Sequence, residues 1–420
     1  MAGPLDGVKI LDFTEIIAGP FSAMLLADMG ADVIKIEPPW GEPWRLNQPF
    51  LPFEARTYIA LNRGKRSLPL DLTKPEAREV VYKLIPDTDI VIINYRPDVP
   101  YNLGIDYETL SAINPRLIYC ENTAFGRRGP HSQRPGYDII IQAMSGLMAG
   151  DGKLLDGLPQ TVNPALADFS TGLAIAWGVS SALYARERTG LGQKVEATLL
   201  ATALAIQTGP FMQINMIEEE ARKEMLEDIA LLRSEGRPYT EIYAHYDALR
   251  RRQRMLYYRT YQTKDGVVAV GCLSDPLRKR MADVLGLHDI RFEPGYDPTS
   301  DETRAFNDEL TKQAEALFLE KSTDEWIATL DAARVPCGPV NFTEELMHNE
   351  QVISNDLVVD LEHSTAGTIR MVGPTLRMSE TPLEVKSASP GLGEHTDEIL
   401  TSLGYSPEEV QRFKDDGITR

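Results

Sequence analysis

Apolar and polar residues near the start of the chain follow two periods in succession. The stretches "VKILDF" (Val8–Phe13) and "DVIKIE" (Asp32–Glu37) predict buried strands. Between them, "GPFSAMLLADMGA" (Gly19–Ala31) predicts a helix with proline near its start and glycine near its end. A strand, a helix and a second strand in this order favour a right-handed crossover. The pattern therefore predicts a parallel sheet.

The same alternation continues beyond these elements. A helix is predicted at "KPEAREVVYKLI", and strands are predicted at "DIVIINY" and "RLIYCEN". This order is typical of a doubly wound α/β domain over about 200 residues. The first turn between strand and helix, "DFTEIIAGPFSA", lacks the G-x-G-x-x-G pattern that cradles a pyrophosphate. A nicotinamide-dependent oxidoreductase is therefore disfavoured.

The pattern changes at about Met216. Charged segments with helical spacing follow, and the cluster Arg250–Arg252 with Arg254 is interpreted as a solvated face rather than a phosphate site. Next, "YYRTYQTKDGVVAVGCL" predicts a hairpin that turns at Asp265-Gly266. The stretches "DPLRKRMADVLGL" and "STDEWIATLDAARV" predict amphipathic helices, and "GTIRMVGPTLRMSETP" predicts a strand and a loop. These elements indicate a second domain.

Composition narrows the class of protein. With 420 residues the chain is longer than one core usually holds, which also favours two domains. A formal charge of −19 argues against nucleic acid as a partner. The separated cysteines Cys120, Cys272 and Cys337 predict reduced thiols and no metal site. The first residues lack the pattern of a signal peptide, so we expect a cytoplasmic location.

One aspartate precedes a long apolar run. In "NPALADFSTGLAIAWGVSSALYARERTG" (Asn163–Gly190), helical spacing follows Asp168, and the helix is expected to end at Gly190. Asp168 has two interpretations, a helix cap or a nucleophile. A helix N-terminus favours the ionised form, so we expect a low pKa for Asp168. Local sequence alone leaves both interpretations open.

Several phrases occur together in the order and spacing of one protein family. They include "LDGVKILDFTEIIAGPFSAMLLADMGADVIKIEPP", "LNRGKRSLPLDLTKPEAR", "INYRP", "NPRLIYCENTAFGRRGP", "RPGYDIIIQAMSGLM", "ADFSTGL", "YARERTGLGQKVEATLL", "VPCGPV" and "LGEHTDEIL". The chain thereby resembles the class III coenzyme A transferases, the CaiB/BaiF family. The resemblance implies an α/β fold with a Rossmann-like large domain from residues 1–215 and 325–420. It also implies linker helices and a smaller α+β domain from residues 216–324, and an interlocked homodimer.

The resemblance also implies a chemistry. Its aspartate nucleophile matches Asp168, which would accept an acyl group from an acyl-CoA and pass CoA to a carboxylic acid. The intermediates would be an aspartyl anhydride and an aspartyl-CoA thioester. Coenzyme A and acyl-CoA are then substrates, and we expect neither a tightly bound cofactor nor a metal.

Binding residues follow from the same resemblance. The residues implied to contact CoA are Ile17, Ala18, Leu70, Asp71, Leu72, Thr73, Asn94, Tyr95, Arg96, Asn102, Pro135, Gly136, Tyr137 and Asp138. For Leu70 and Asn94, packing at a strand end is the alternative. Basic side chains suit the CoA phosphates, and the candidates are Arg45, Lys65, Arg66 and Arg96.

The chain also departs from the family pattern. Glu15 and Ile17 stand where formyl-CoA transferases have His and Gln, Asn102 replaces an Arg, and Pro38 replaces a basic residue. A "GGGGQ" loop has no counterpart before "YQTKDG". These differences argue against oxalate as the acid.

Two alternatives remain. An α-methylacyl-CoA racemase shares the fold, but Tyr137 occupies the place of its basic histidine and is a poor base at neutral pH. The second alternative is a CoA-binding subunit of a heteromeric transferase, without activity of its own.

Overall fold

The computed structural model describes residues 3–250, 255–298 and 300–420. Arg251, Arg252 and Arg254 of the predicted arginine cluster lie outside the described residues. The chain forms two compact units. The first combines Met1–Glu224 with Gln351–Arg420, and the second is Met225–Glu350. Residues 325–350, which are expected in the large domain, lie in the second unit.

The bounds of the elements are as follows. The strands are β1 (Lys9–Asp12), β2 (Asp32–Glu37), β3 (Lys65–Pro69), β4 (Ile90–Ile93), β5 (Ile118–Thr123), β6 (Leu154–Leu155), β7 (Leu158–Pro159), β8 (Lys194–Thr198), β9 (Tyr258–Gln262), β10 (Val267–Gly271), β11 (Cys337–Pro339), β12 (Val358–His363) and β13 (Gly367–Val372). The helices are α1 (Ala18–Asp28), α2 (Arg56–Ile59), α3 (Pro75–Leu84), α4 (Val99–Leu103), α5 (Tyr107–Ile113), α6 (Asp138–Ser145), α7 (Leu147–Asp151), α8 (Leu166–Thr189), α9 (Leu199–Ala205), α10 (Thr208–Phe211), α11 (Asn215–Ser234), α12 (Tyr239–Arg250), α13 (Asp275–Leu285), α14 (Asp301–Phe318), α15 (Thr323–Ala332), α16 (Glu350–Ser354), α17 (Thr396–Ser402) and α18 (Pro407–Asp415).

A six-stranded sheet organises the first unit. Its order is β3-β2-β1-β4-β5-β8, and the neighbouring strands are parallel. Ile10 of β1 pairs with Val33 on one side and with Ile90 on the other. The predicted parallel α/β sheet is confirmed. Every residue of β4 is buried, as expected for a strand covered on both faces.

Helices cover both faces of this sheet. On one face, Val80 of α3 and Phe413 of α18 join the core that includes Leu11. On the other face, Leu26 of α1 and Val179 of α8 join a separate core. The C-terminal helices therefore complete the core built by the N-terminal strands.

Helix α8 packs closely against α1. A Cβ atom on Gly172 would lie 2.7 Å from Phe21 Cδ1 and 2.8 Å from the carbonyl oxygen of Ala18, so only glycine fits there. Among the described helices, α8 alone is long and apolar enough to cross a membrane, and half of its most apolar window is buried in the fold. A helix in the core of a folded domain can have the same length and apolar composition as a membrane-spanning helix.

The strand order changes direction between β1 and β4. The chain passes from β1 outward to β2 and β3, and then returns to β4 on the other side of β1. In such sheets a crevice opens beyond the carboxyl ends of the two central strands. The loops at Thr14–Ala18 and Asn94–Arg96 begin at these ends.

The second unit has its own sheet and core. Strands β9, β10 and β11 form an antiparallel sheet, and the predicted hairpin turns at Asp265-Gly266. Tyr261 stacks on Phe318 at 4.2 Å between ring centroids, and Phe318 contacts Trp326 at 4.7 Å. Because Trp326 of α15 belongs to this core, residues beyond 325 remain in the second unit.

Candidate active site

A cavity of about 220 Å³ lies at the crevice beyond β1 and β4. Its walls come from the loops after β1, β4 and β5, from the segment before α6, and from the first turn of α8. The predicted site residues that line it are Ile17, Asn94, Tyr95, Arg96, Pro135, Gly136, Tyr137 and Asp168. Segments far apart in the chain therefore meet around Asp168.

A second cavity of about 200 Å³ contains another predicted segment. Leu70, Asp71, Leu72 and Thr73 line it, and it shares Glu15 and Tyr95 with the first cavity. The two cavities are therefore neighbours, and we name them the Asp168 cavity and the Leu70 cavity.

Three of the fourteen residues implied to contact CoA line neither cavity. Ala18 is buried at the start of α1, and Asn102 is exposed on α4. Asp138 lies behind the wall, where its carboxylate accepts hydrogen bonds from the backbone of α8.

The loop after β1 is held in an unusual conformation. Ile16 has φ = +74°, a left-handed value that is rare for a β-branched residue. The Ile16 N–H donates to Glu42 Oε2 at 2.9 Å. The Glu15 N–H donates to Asn94 Oδ1 at 2.9 Å, and Asn94 Nδ2 donates to the Glu15 carbonyl at 2.8 Å. Asn94 therefore positions the loop, and these bonds offset the strain.

Buried charges lie beneath this loop. Lys35 Nζ donates to the Thr14 carbonyl at 2.7 Å and lies 3.3 Å from Glu42. Lys65 Nζ lies 2.8 Å from Asp12 Oδ2. Burial alone would raise the pKa of Asp12, but the two lysines lower it below its usual value. Each charge thus has a partner of opposite sign, and the group fixes the end of β1.

The predicted phosphate-binding role is wrong for two residues, Arg45 and Lys65. Lys65 is fully enclosed with Asp12, and Arg45 is fully enclosed against Glu37 at 2.8 Å. Arg45 also lies 3.6 Å from the centre of the Tyr58 ring. Neither side chain can reach a ligand, because each neutralises a buried carboxylate. The sequence pattern does not distinguish an enclosed arginine from an accessible one.

Other basic side chains remain accessible. Arg66 lies outside both cavities and pairs with Asp32 and Glu398. Arg96 lines the Asp168 cavity, where Nε donates to Asp98 at 2.6 Å. Arg134 also lines it and was missed, although it directly precedes the "PGYD" segment.

Asp168 is not the cap of its helix. It is the third residue of α8, after Ala165 at the N-cap position. The cap comes from Asp138, whose Oδ1 accepts from the N–H groups of Ala167 and Asp168 at 2.9 and 3.2 Å. Gln142 donates to Asp138 Oδ2 at 2.6 Å. Of the two interpretations of Asp168, the helix cap is therefore wrong, and the carboxyl group of Asp168 is left uncommitted.

The expected low pKa of Asp168 is also wrong. Burial raises the pKa of Asp168 to about 7, and repulsion from Asp138 contributes to the increase. The side chain retains 8% exposure. Burial also raises the pKa of Glu15 to about 7, with a contribution from Glu42. Loss of solvent outweighs the favourable helix terminus, because the N–H groups of the first turn point to Asp138 instead.

This arrangement can support nucleophilic chemistry. A carboxyl group with a pKa near 7 is partly ionised at neutral pH and poorly hydrated, which suits attack on an acyl carbon.

In residues 3–250, 255–298 and 300–420, no group of three or more His, Cys, Asp or Glu side chains is arranged to hold a metal ion.

Sequence reasoning missed one more wall of the cavity. This wall is formed by the last two residues of β5, Asn122 and Thr123, and by the two residues that follow, Ala124 and Phe125. The rule that ligands bind at the carboxyl ends of parallel strands would have found them.

Comparison with known proteins decides the family. The profile of CoA-transferase family III matches residues 5–396. This chain belongs to CoA-transferase family III. As a member of this transferase family it is an enzyme, and CoA thioesters are the substrates of such transferases.

Relatives across family III cover nearly the whole chain. The succinyl-CoA:glutarate CoA-transferase of Mus musculus is 31% identical over 99% of this chain and 90% of its own length. The formyl-CoA:oxalate CoA-transferase of Rhodopseudomonas palustris (strain TIE-1) is 32% identical over 100% of this chain and 98% of its own length. A solved CaiB/BaiF family protein from Brucella suis has a TM-score of 0.73 and 30% identity, covering 96% of this chain and 100% of its own.

Proposed function

We propose that this family III transferase moves CoA from an acyl-CoA to a carboxylic acid through a covalent adduct on Asp168. The observation that carries the proposal is the Asp168 carboxyl group, which is uncommitted, nearly buried and part of the cavity wall. Asp138 accepts the hydrogen bonds of the free N–H groups at the start of α8, so the Asp168 carboxyl group is not needed as a cap.

The first half of the reaction loads the enzyme. An Asp168 oxygen attacks the thioester carbonyl of the donor, the carbon–sulfur bond breaks, and CoA leaves as thiolate. The product is a mixed anhydride of the donor acid and Asp168. The thiolate then attacks the Asp168 carbonyl of the anhydride. This step releases the donor acid as carboxylate, carrying an oxygen from Asp168, and leaves an aspartyl-CoA thioester.

The second half repeats these steps with the acceptor. The acceptor carboxylate attacks the aspartyl-CoA carbonyl and displaces CoA thiolate, which forms a second anhydride. The thiolate attacks the acceptor's carbonyl, giving the new acyl-CoA and free Asp168. Covalent catalysis thereby divides one difficult displacement into easier steps, and the enclosed position of Asp168 protects the anhydride from water.

The two neighbouring cavities suit a long thioester. We assign the reacting acyl group to the Asp168 cavity, and part of CoA to the Leu70 cavity. Glu15 and Tyr95, which belong to both walls, would contact the ligand where it passes between them. Arg96 and Arg134 supply positive charge at the Asp168 cavity.

Exchange of radiolabelled CoA between acyl-CoAs and acids tests this proposal. Asp168→Asn should lose exchange because an amide cannot form the anhydride, while Asp360→Asn, an exposed substitution on β12, should keep it. Full exchange by Asp168→Asn would refute the assignment. Deuterium uptake from solvent at the α-carbon without exchange would support the racemase. Activity that requires a second protein would support the heteromer.

We also propose that two chains assemble into the interlocked homodimer. On α8, Leu173, Trp177 and Tyr184 are 53%, 75% and 68% exposed, whereas the opposite face is buried. A large apolar stripe of this kind is typical of an interface. Light scattering should give the mass of a dimer for the wild type and for Trp177→Phe, and a smaller mass for Trp177→Glu. A monomeric wild type would refute the assembly.

A further inference from the structure

The side chain of Asn122 is buried, and its amide oxygen has no hydrogen-bond partner in the described chain. It belongs to β5, lines the Asp168 cavity and is only 4% exposed. In the described part of the chain, its Oδ1 has no hydrogen-bond partner. No role in the fold therefore explains a polar side chain at this position.

The neighbouring strand provides a direct comparison. Ile93 of β4 pairs with Glu121 of β5, so Asn94 and Asn122 each follow a paired residue at the same edge of the sheet. Both ends of the Asn94 amide bind the Glu15 backbone. Asn94 thus holds a loop, whereas Oδ1 of Asn122 makes no such hydrogen bond in the described chain.

The position of Asn122 has an energetic cost. A buried polar group without a partner destabilises the folded state, while an apolar side chain of similar size would fill the space without that penalty. Buried polar atoms in folded proteins nearly always have partners. A cavity wall is where a ligand can supply one. Since the unpaired atom is an acceptor, the ligand group must be a donor.

We propose that Asn122 contacts the thioester substrate and accepts a hydrogen bond from an O–H or N–H group of that substrate. This inference rests on the proposed function, because it assumes a CoA thioester in the Asp168 cavity. Two parts of the substrate near the thioester carry such donors. They are the pantetheine arm, through its amide and hydroxyl groups, and the acyl chain of a hydroxy acid, through its hydroxyl group.

Binding of unreactive thioethers distinguishes these sources. The probes are S-butyl-CoA and S-(3-hydroxybutyl)-CoA, measured by calorimetry with the wild type and with Asn122→Leu. If pantetheine is the donor, the variant should bind both probes about tenfold more weakly. If the acyl hydroxyl is the donor, only the hydroxybutyl probe should lose affinity. Equal affinity of variant and wild type for both probes would overturn the proposal.

Two controls complete the experiment. Asn122→Asp keeps an acceptor oxygen in a side chain of the same shape, so it should bind the sensitive probe more tightly than Asn122→Leu does. If the leucine variant does not fold, Asn122→Ala replaces it, and equal affinity of Asn122→Ala and wild type for both probes would then count against the contact. The probes have no acyl group to transfer, so their binding does not depend on Asp168 as nucleophile. Failure of the exchange assay and failure of this inference are therefore distinguishable.

Discussion

Asp138 offers the sharpest test of how the fold prepares Asp168. Its carboxylate accepts from the N–H groups of Ala167 and Asp168, and it also raises the pKa of Asp168. Asp138→Ala removes both effects together. The variant should loosen the first turn of α8, and it should also lower the pKa of Asp168.

The magnitude follows from the bonds that are lost. Replacing a capping residue by alanine costs about 0.5–2 kcal/mol. Asp138 serves two N–H groups and also accepts from Gln142, so we expect a loss of about 2 kcal/mol, at the upper end of that range. Since 1.4 kcal/mol is a factor of ten, exchange of the N–H groups of Ala167 and Asp168 should become about thirtyfold faster.

Hydrogen exchange and kinetics read out the two effects separately. Asp106→Ala is a matched control, because Asp106 caps α5 by accepting from the Thr109 N–H at 3.0 Å and lines neither cavity. The control should accelerate exchange in α5 only. In Asp138→Ala, the acidic limb of the kcat/KM profile should move to lower pH, because a negative neighbour no longer opposes ionisation of Asp168.

Two results would refute this reasoning. Unchanged exchange at the first turn of α8 would mean that Asp138 does not cap the helix. A limb that stays in place or moves to higher pH would mean that Asp138 does not raise the pKa of Asp168.

Three further predictions concern pH and packing. The value of kcat/KM should fall as pH decreases below about 7, because attack requires ionised Asp168; a flat profile from pH 5 to 8, measured by initial rates, would contradict this. Glu15 lines the cavity and its pKa is also about 7, so it becomes negative as pH rises and should repel an anionic acceptor. The KM for that acceptor should therefore increase above pH 7 in the wild type, and it should increase less in Glu15→Gln. The same increase in both proteins would exclude this effect. Gly172→Ala should lower the melting temperature, with a cost of about 1–3 kcal/mol from its clash with the Ala18 carbonyl. Gly150→Ala, where a Cβ atom meets nothing within 4 Å, serves as control, and equal melting temperatures for the two variants would contradict the packing argument.

The sequence predicts the sheet well because its signal is local. The pattern predicts strands at Val8–Phe13 and Asp32–Glu37, and the structure has Lys9–Asp12 and Asp32–Glu37. Buried strands of a parallel sheet are continuous apolar runs, so they are visible without knowledge of their neighbours. The same applies to the end of α8, where Gly190 takes the left-handed conformation at the C-cap.

Contacts between distant segments are what sequence reasoning could not supply. Asp138 caps a helix that begins 28 residues later, as the bounds of α6 and α8 indicate. That contact excludes the cap interpretation of Asp168, and burial, together with repulsion from Asp138, raises the pKa that the sequence predicts to be low. The same reason explains why the phosphate-binding role predicted for Arg45 and Lys65 is wrong, since their carboxylate partners are identified only when the fold brings them together. The unpaired Oδ1 of Asn122 is likewise recognised only from the surroundings that the fold gives it in the described chain.

Transfer of oxygen from the acceptor to Asp168 tests the central claim most directly. The enzyme would turn over a donor acyl-CoA with an acceptor acid labelled with ¹⁸O in its carboxylate, and the peptide containing Asp168 would be analysed by mass spectrometry. Regeneration of Asp168 from the second anhydride leaves one acceptor oxygen in its side chain, so the peptide should gain ¹⁸O during turnover. Labelled donor acid together with an unlabelled Asp168 peptide would contradict the account, because the two acids would then have exchanged CoA without a covalent bond to this residue.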